Sequence, residues 1–304
     1  MRWRARPVVE HAQVAQCVAL QAESLRNRGA DPAGHLERLT RRLTAGAGSA
    51  ADVLVTVEAS GACQGFLWSS LRTLRGPRGD TLVCHLDSIV LTRAARGQGL
   101  GSELMSRFEQ DAREAGFAAV SLNSMADNHR VAGFYERLGY ELVGLDLEKA
   151  LTHSGPPAPE PGLRRLPWGE PPERPDIDAA PLRDAFEPGP GGRPPLPTER
   201  FEQHGALLGL VGTAFRRATD GTPIVVFDPF FLTPVFLTPL GPSPASVRGI
   251  VADREHAAHE SGAERAYVTI WEPRSPTARV LQDLGYQIGR HKWWKGLTKP
   301  RSAT

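Results

Sequence analysis

The stretch Leu91-Thr92-Arg93-Ala94-Ala95-Arg96-Gly97-Gln98-Gly99-Leu100-Gly101 shows a capacity for chemistry most openly in this sequence of 304 residues. An apolar run leads there into a basic, glycine-rich turn. Gly97, Gly99 and Gly101 lack a Cβ, so the backbone can approach an anion and adopt positive φ while the first N–H groups of a following helix point at it. A pyrophosphate suits such a cradle. The turn is not a nucleotide loop of the G-x-x-x-x-G-K-[ST] kind, because no lysine followed by a hydroxyl residue is present to grip a terminal phosphate and magnesium. Cys84 beside His85 suggests a thiol nucleophile, but neighbours on a strand point to opposite faces and do not form a dyad.

The elements that would position the cradle follow from periodicity and punctuation. His85 to Leu91 reads as a strand. Leu100 to Ala115 reads as an amphipathic helix, with Leu100, Leu104, Phe108 and Ala112 on one stripe and Gly116 as its C-cap. An alternating strand, Ala119 to Asn123, comes next, and then the segment Asn128-His129-Arg130-Val131-Ala132-Gly133-Phe134-Tyr135-Glu136-Arg137-Leu138-Gly139-Tyr140.

At these residues the chain resembles the GNAT family of acyl-CoA-dependent N-acyltransferases. Arg96, Gly99 and Gly101 match its cofactor motif [QR]-x-x-G-x-[GA], and Asn128 to Tyr140 is similar to N-x-x-x-x-x-[FL]-Y-x-x-x-G-[FY]. The resemblance implies an α/β fold, a central mixed sheet flanked by helices, with acetyl-CoA as co-substrate and no metal. It implies that Ile89, Val90, Leu91, Arg96, Gly97, Gln98, Gly99, Leu100, Gly101, Ser102, Asn128 and Tyr135 meet the cofactor, with the Leu91 N–H, near a strand bulge, polarising the thioester carbonyl. Tyr135 matches the tyrosine near the departing sulfur, where a phenol can protonate a thiolate; its other reading is a core aromatic beside Phe134. Asn128 either bonds the pantetheine arm or caps a helix. The acceptor amine, with a pKa near about 10.4, must lose a proton before it attacks. Asp87 is the leading base, with Glu58 and His85 behind it; alternatively Asp87 caps a turn or pairs with an arginine.

Composition narrows the class. With 36 Lys+Arg against 34 Asp+Glu the formal charge is +2, which gives no global case for nucleic acid or an anionic membrane. Cys17, Cys63 and Cys84 lack C-x-x-C spacing and make neither a disulfide framework nor a metal site. The N-terminus leads into no apolar signal core, and Ala206 to Phe215 and Ile224 to Leu240 are too short or too broken by proline to span a bilayer. A cytoplasmic protein is expected.

The chain divides at a change of composition. Between Gly155 and Pro197 lie 14 prolines, which predicts a linker over 153–198 between a catalytic domain, 1–152, and a second domain, 199–304. A gapless shift of 146 places carries Leu91-Thr92 onto Leu237-Thr238, Glu109 onto Glu255, Ala112 onto Ala258, Glu114 onto Glu260 and Gly116 onto Gly262. It also carries Leu138-Gly139-Tyr140 onto Leu284-Gly285-Tyr286, and Lys149 and Leu151 onto Lys295 and Leu297. Such matches predict two copies of one fold. The second copy has Pro242-Ser243-Pro244-Ala245-Ser246-Val247 in place of the cradle, Leu281 for Tyr135 and Arg274 for Asn128, so it reads as a degenerate partner that completes the fold and walls the acceptor pocket. His291, Trp293 and Trp294 read as an aromatic acceptor wall or as a strand half core and half surface. The expected function is transfer of an acetyl group to a primary amine of a small molecule by direct attack in a ternary complex, in a monomer (pseudo-dimer) or homodimer. Protein or peptide N-acetylation and a non-catalytic acyl-CoA-binding module are the alternatives.

Overall fold

Glycines at positive φ and capping side chains set where the elements begin and end. The computed structural model describes residues 4–7, 11–26, 36–37, 40, 52–59, 62–76, 79–152, 160–167, 198–203, 206–218, 221–232 and 243–297. Strand β1 (Arg4–Pro7) and helix α1 (His11–Arg26) precede β2 (Asp52–Ala59), β3 (Ala62–Gly76) and β4 (Gly79–Leu91). A 3₁₀ turn then leads to helix α2 (Leu100–Glu114), strand β5 (Ala119–Met125), helix α3 (His129–Arg137) and strand β6 (Glu141–Ala150). The second half runs β7 (Leu163–Pro167), β8 (Thr198–Gln203), β9 (Ala206–Arg217), β10 (Pro223–Leu232), α4 (Pro244–Glu260), β11 (Arg265–Ile270), α5 (Pro276–Asp283) and β12 (Gln287–Gly296). Gly116 and its counterpart Gly262, at φ 87° and 84°, end α2 and α4 in the left-handed region that favours glycine.

The twelve strands of the described residues join one mixed sheet in the order β1-β2-β3-β4-β5-β12-β6-β11-β10-β9-β8-β7. Only β4–β5 and β10–β11 are parallel. The order means that the halves exchange their last strands: β12 fits between β5 and β6, and β6 pairs with β11. A pseudo-two-fold axis relates the two. Under the shift of 146, the pair Glu148–Gln287 becomes the pair Trp294–Glu141, and Leu145 lies opposite its own counterpart, His291. The exchange is also written in the cores. Leu145 and Leu147 pack among the second half's Phe227, Ile250 and Leu281, while Trp293 and Leu297 pack among the first half's Leu104, Phe108 and Tyr135. Burying a side chain of this size contributes about 1.5–3 kcal/mol, so each half supplies a share of the other's core stability.

Irregularities in the strands are duplicated as well. The register break between Val57 and Glu58 recurs between Phe201 and Glu202, and the break between Trp68 and Ser69 recurs where β9 meets Phe227 and Phe230. These pairings correct the gapless alignment. Leu86 lies beside Ser69 and Leu122, and Phe227 beside Thr213 and Val268, so β4 maps onto β10 at a shift of 141 and Leu91 matches Leu232 instead of Leu237. The shift of 146 holds from α2 and α4 onward, and the connection entering α4 therefore carries the inserted residues. Part of the expected linker is also corrected: Leu163–Pro167 is a strand, paired antiparallel to β8 at the sheet edge. Residues 153–159 and 168–197 lie outside the described residues, as do Leu237-Thr238 and Pro242. No helix among the described residues is long and apolar enough to cross a membrane.

Candidate active site

The cradle is built as a strand-to-helix turn that keeps its amides free. Gly97 and Gly99 sit at φ 79° and 80°, and Gly99 is the N-cap of α2 with no side chain closing the helix end. Leu100 anchors the helix by its burial, and the Ser102 N–H folds back to the Gly99 carbonyl at 3.0 Å. The amides of Gly97 through Gly101 have no acceptor among the described residues, so they and the helix dipole present positive potential to solvent. The side chains of Arg96 and Gln98 brace the turn from within, with Arg96 Nε donating to the Leu91 carbonyl at 3.1 Å and Gln98 Nε2 to the Ala94 carbonyl at 2.7 Å.

Beside the cradle the sheet opens. β4 and β5 pair only over Cys84–Leu86 and Val120–Leu122, although β4 runs on to Leu91 and β5 to Met125. The opening begins at an irregularity: Trp68 faces Ser88 and Ser69 faces Leu86, which leaves Asp87 as the extra residue of a bulge. The resemblance led us to expect that bulge near Leu91; it lies at Asp87 instead. The Thr92 N–H donates to the Gln64 carbonyl at 2.8 Å, so by antiparallel alternation Leu91 turns its own amide toward the opening. Ile89 packs toward α2, and Val90 toward the core under α1.

Tyr135 lies on α3, which Asn128 starts by accepting the Val131 N–H on its side-chain oxygen at 3.3 Å. That cap uses the oxygen of Asn128, and its amide donors have no partner among the described residues. Tyr135 is 4% exposed, and its ring packs on Phe134, Tyr140 and Trp293, with centroids 5.3, 5.7 and 6.2 Å away. Burial pushes its phenol up to about 12, so the hydroxyl keeps its proton at any working pH. Trp293 is core, donating from its indole N–H to Ser124 at 2.9 Å, and His291 meets it edge-on. Burial, and then His129, lower the basicity of His291 against an opposing effect of Glu136.

The face toward α1 carries a polar group. Asp87 pairs with the Arg72 guanidinium and accepts from the Ser70 hydroxyl; its side chain is 5% exposed. The arginine-pairing alternative for Asp87 is thus realised in the structure. His85, the cross-strand neighbour of Ser70, is buried and bonded through Nδ1 to Ser121 Oγ at 2.9 Å. Ser88 donates to Gln21 of α1 at 2.7 Å. Cys84 points the other way, into a cavity of about 110 Å³ lined by Leu104 and Phe108. The side chain of Glu58 lies outside the described residues, as do residues 27–35 that follow α1. Sequence reasoning missed Ser70, Arg72, Gln21 and Ser121, which belong to no motif and gain meaning only from strand pairing.

In the second half the equivalent helix end is closed. Ser243 accepts the Ser246 N–H at 3.0 Å, Pro244 has no N–H to give, and the fully buried Ser246 donates to Gln203. Leu281, in the place of Tyr135, is core.

A turn of free amides thus lies beside two parting parallel strands, with a buried tyrosine on the next helix, and residues 20–140 match the family model described as "Acetyltransferase (GNAT) family". Over residues 20–140 the chain is thus similar to that family, and the rest of the chain lies outside the match. Among curated relatives it is 31% identical over 134 residues to mycothiol acetyltransferase of Propionibacterium freudenreichii, covering 42% of this chain and 36% of the relative. It is 40% identical over 59 residues to blasticidin-S acetyltransferase of Streptomyces morookaense, covering 19% of this chain and 43% of the relative. The chain thus spans less than half the length of these curated relatives. A GCN5-related N-acetyltransferase structure from Sphaerobacter thermophilus superposes with a TM-score of 0.56 at 18% identity, covering 97% of this chain and 96% of that one, which speaks for the fold alone.

Proposed function

We propose that the chain transfers the acetyl group of acetyl-CoA to a primary amine of a small molecule, by direct attack in a ternary complex formed in the first half. The observation that carries this reading is the meeting of the free amides of Gly97–Gly101 with the opening between β4 and β5. The amides suit the pyrophosphate, and the opening exposes unpaired strand edge to which an extended pantetheine arm can hydrogen-bond. The Leu91 amide polarises the thioester carbonyl, and Asn128 offers its amide donors to the arm. The neutral amine then forms the new C–N bond as the C–S bond breaks. Its proton leaves toward Asp87, directly or through water, and the departing thiolate takes one from Tyr135. Two relatives carry the names of small molecules, mycothiol and blasticidin S, which supports a small molecule over a peptide. Dependence on acetyl-CoA and three free cysteines fit a cytoplasmic enzyme.

Purified chain with acetyl-CoA and a panel of small amines should release CoA thiol in an amine-dependent manner. Tyr135→Phe should still bind acetyl-CoA while losing turnover. Acetyl-CoA binding without turnover on any amine would favour a non-catalytic binding module instead.

A further inference from the structure

Lys295, on the strand that the second half lends to the first, reaches two elements of the active site at once. Its Nζ donates to Glu109 Oε2 at 2.6 Å and to the Leu138 carbonyl at 2.7 Å, and it lies 5.5 Å from the centre of the Tyr140 ring. Glu109 belongs to α2, whose first turn is the cradle. Leu138 is the C-cap of α3, the helix of Tyr135, and the Tyr140 N–H closes that helix end on the Tyr135 carbonyl at 3.0 Å. One ammonium therefore ties the helix that holds the pyrophosphate to the helix that holds the proton donor. Both groups it bonds are only partly exposed, so their loss is not made good by bulk water.

The carboxylate and ring contacts of this latch occur a second time, where no chemistry is expected. Lys149, lent by the first half, binds both carboxylate oxygens of Glu255 at 2.9 Å and lies 5.5 Å from the Tyr286 ring centre. The helix it bonds is α4, with a closed N-terminus, and it meets the end of α5, which has Leu281 in place of the tyrosine, through the Tyr286 ring. The two sets of contacts account for Glu109/Glu255, Leu-Gly-Tyr and Lys149/Lys295 being among the matches that survive in the sequence.

Resting on the function proposed above, we propose that Lys295 is a positioning residue for acetyl transfer, fixing the cradle against Tyr135, and that the second half acts on the reaction through it. Lys149 is the built-in control, because its removal breaks the corresponding lysine–glutamate and ring contacts away from the cradle. The test compares Lys295→Met with Lys149→Met in the full chain by thermal melting, acetyl-CoA titration and steady-state kinetics. Both should lower the melting temperature by similar amounts. Only Lys295→Met should raise the KM for acetyl-CoA and lower kcat, each by tenfold or more, with Lys149→Met within twofold of the parent. Lys295→Arg should recover most of the loss, since it restores a donor. The double variant Lys295→Met/Glu109→Gln, which leaves no unpaired carboxylate, should regain melting temperature but not kcat. Equal kinetic effects at the two lysines, or none at Lys295, would overturn the proposal while leaving the function intact. A parent chain that neither binds acetyl-CoA nor turns over would overturn both.

Discussion

Tyr135 and Asp87 divide the proton work at the residue scale, and their surroundings set what each can do. The Tyr135 phenol, pushed up to about 12 by burial, stays a donor where an exposed tyrosine would begin to ionise. With increasing pH the fraction of neutral acceptor amine grows, so kcat/KM should climb through the alkaline range without a descending limb until near 12. A pH profile with a fall centred near the ordinary phenol value of about 10 would contradict the burial argument. Tyr135→Phe keeps the ring packing on Trp293 and should cost about 10²-fold or more in kcat with little change in stability. Asp87→Asn removes the proton acceptor and should lower kcat by a similar order while sparing acetyl-CoA affinity, as measured by calorimetry beside kinetics. An Asp87→Asn enzyme of undiminished kcat would assign Asp87 to the Arg72 ion pair alone.

At the scale of elements, α2, whose first turn is the cradle, is bounded at its two ends by glycines that a Cβ would strain whether or not a ligand is present. Gly99→Ala and Gly116→Ala each place a side chain at positive φ, at a cost of about 1–2 kcal/mol. Both should melt earlier to a similar degree, but only Gly99→Ala should weaken acetyl-CoA, because only Gly99 orders amides that face the anion. This is also the scale at which the sequence was most legible. The glycine turn, the stripe Leu100–Leu104–Phe108–Ala112 and the cap at Gly116 are local patterns with local physical causes, and all appear where the periodicity put them. The bulge at Asp87 was not legible in position, since a bulge is a relation between two strands and not a property of one. Strand β7 was hidden because five residues among so many prolines resemble a tether until β8 pairs with them. The gapless repeat failed at β10 for a related reason: loops absorb insertions freely, and only sheet register showed where the shift changes.

At the scale of the whole molecule, the exchange of β6 and β12 makes the halves interdependent. The repeat itself was visible in the sequence, but which copy uses which last strand was not, because the two strands differ only in their partners. A fragment ending at residue 152 would lack β12 between β5 and β6, and with it Trp293 and Lys295. Expressed alone it should give no cooperative melt and no acetyl-CoA binding, and co-expression with 153–304 should restore both. Trp293→Ala, in the second half, should destabilise the first half's core by about 3–5 kcal/mol and lower turnover, as read from denaturant unfolding with parallel assays.

The central claim is that one half of this duplicated fold holds a working acetyl-CoA site and the other does not. Calorimetric titration of the full chain with acetyl-CoA tests it most directly. The account predicts one site per chain, abolished by Gly99→Trp. Two sites, no binding, or a single site that survives that substitution would contradict it.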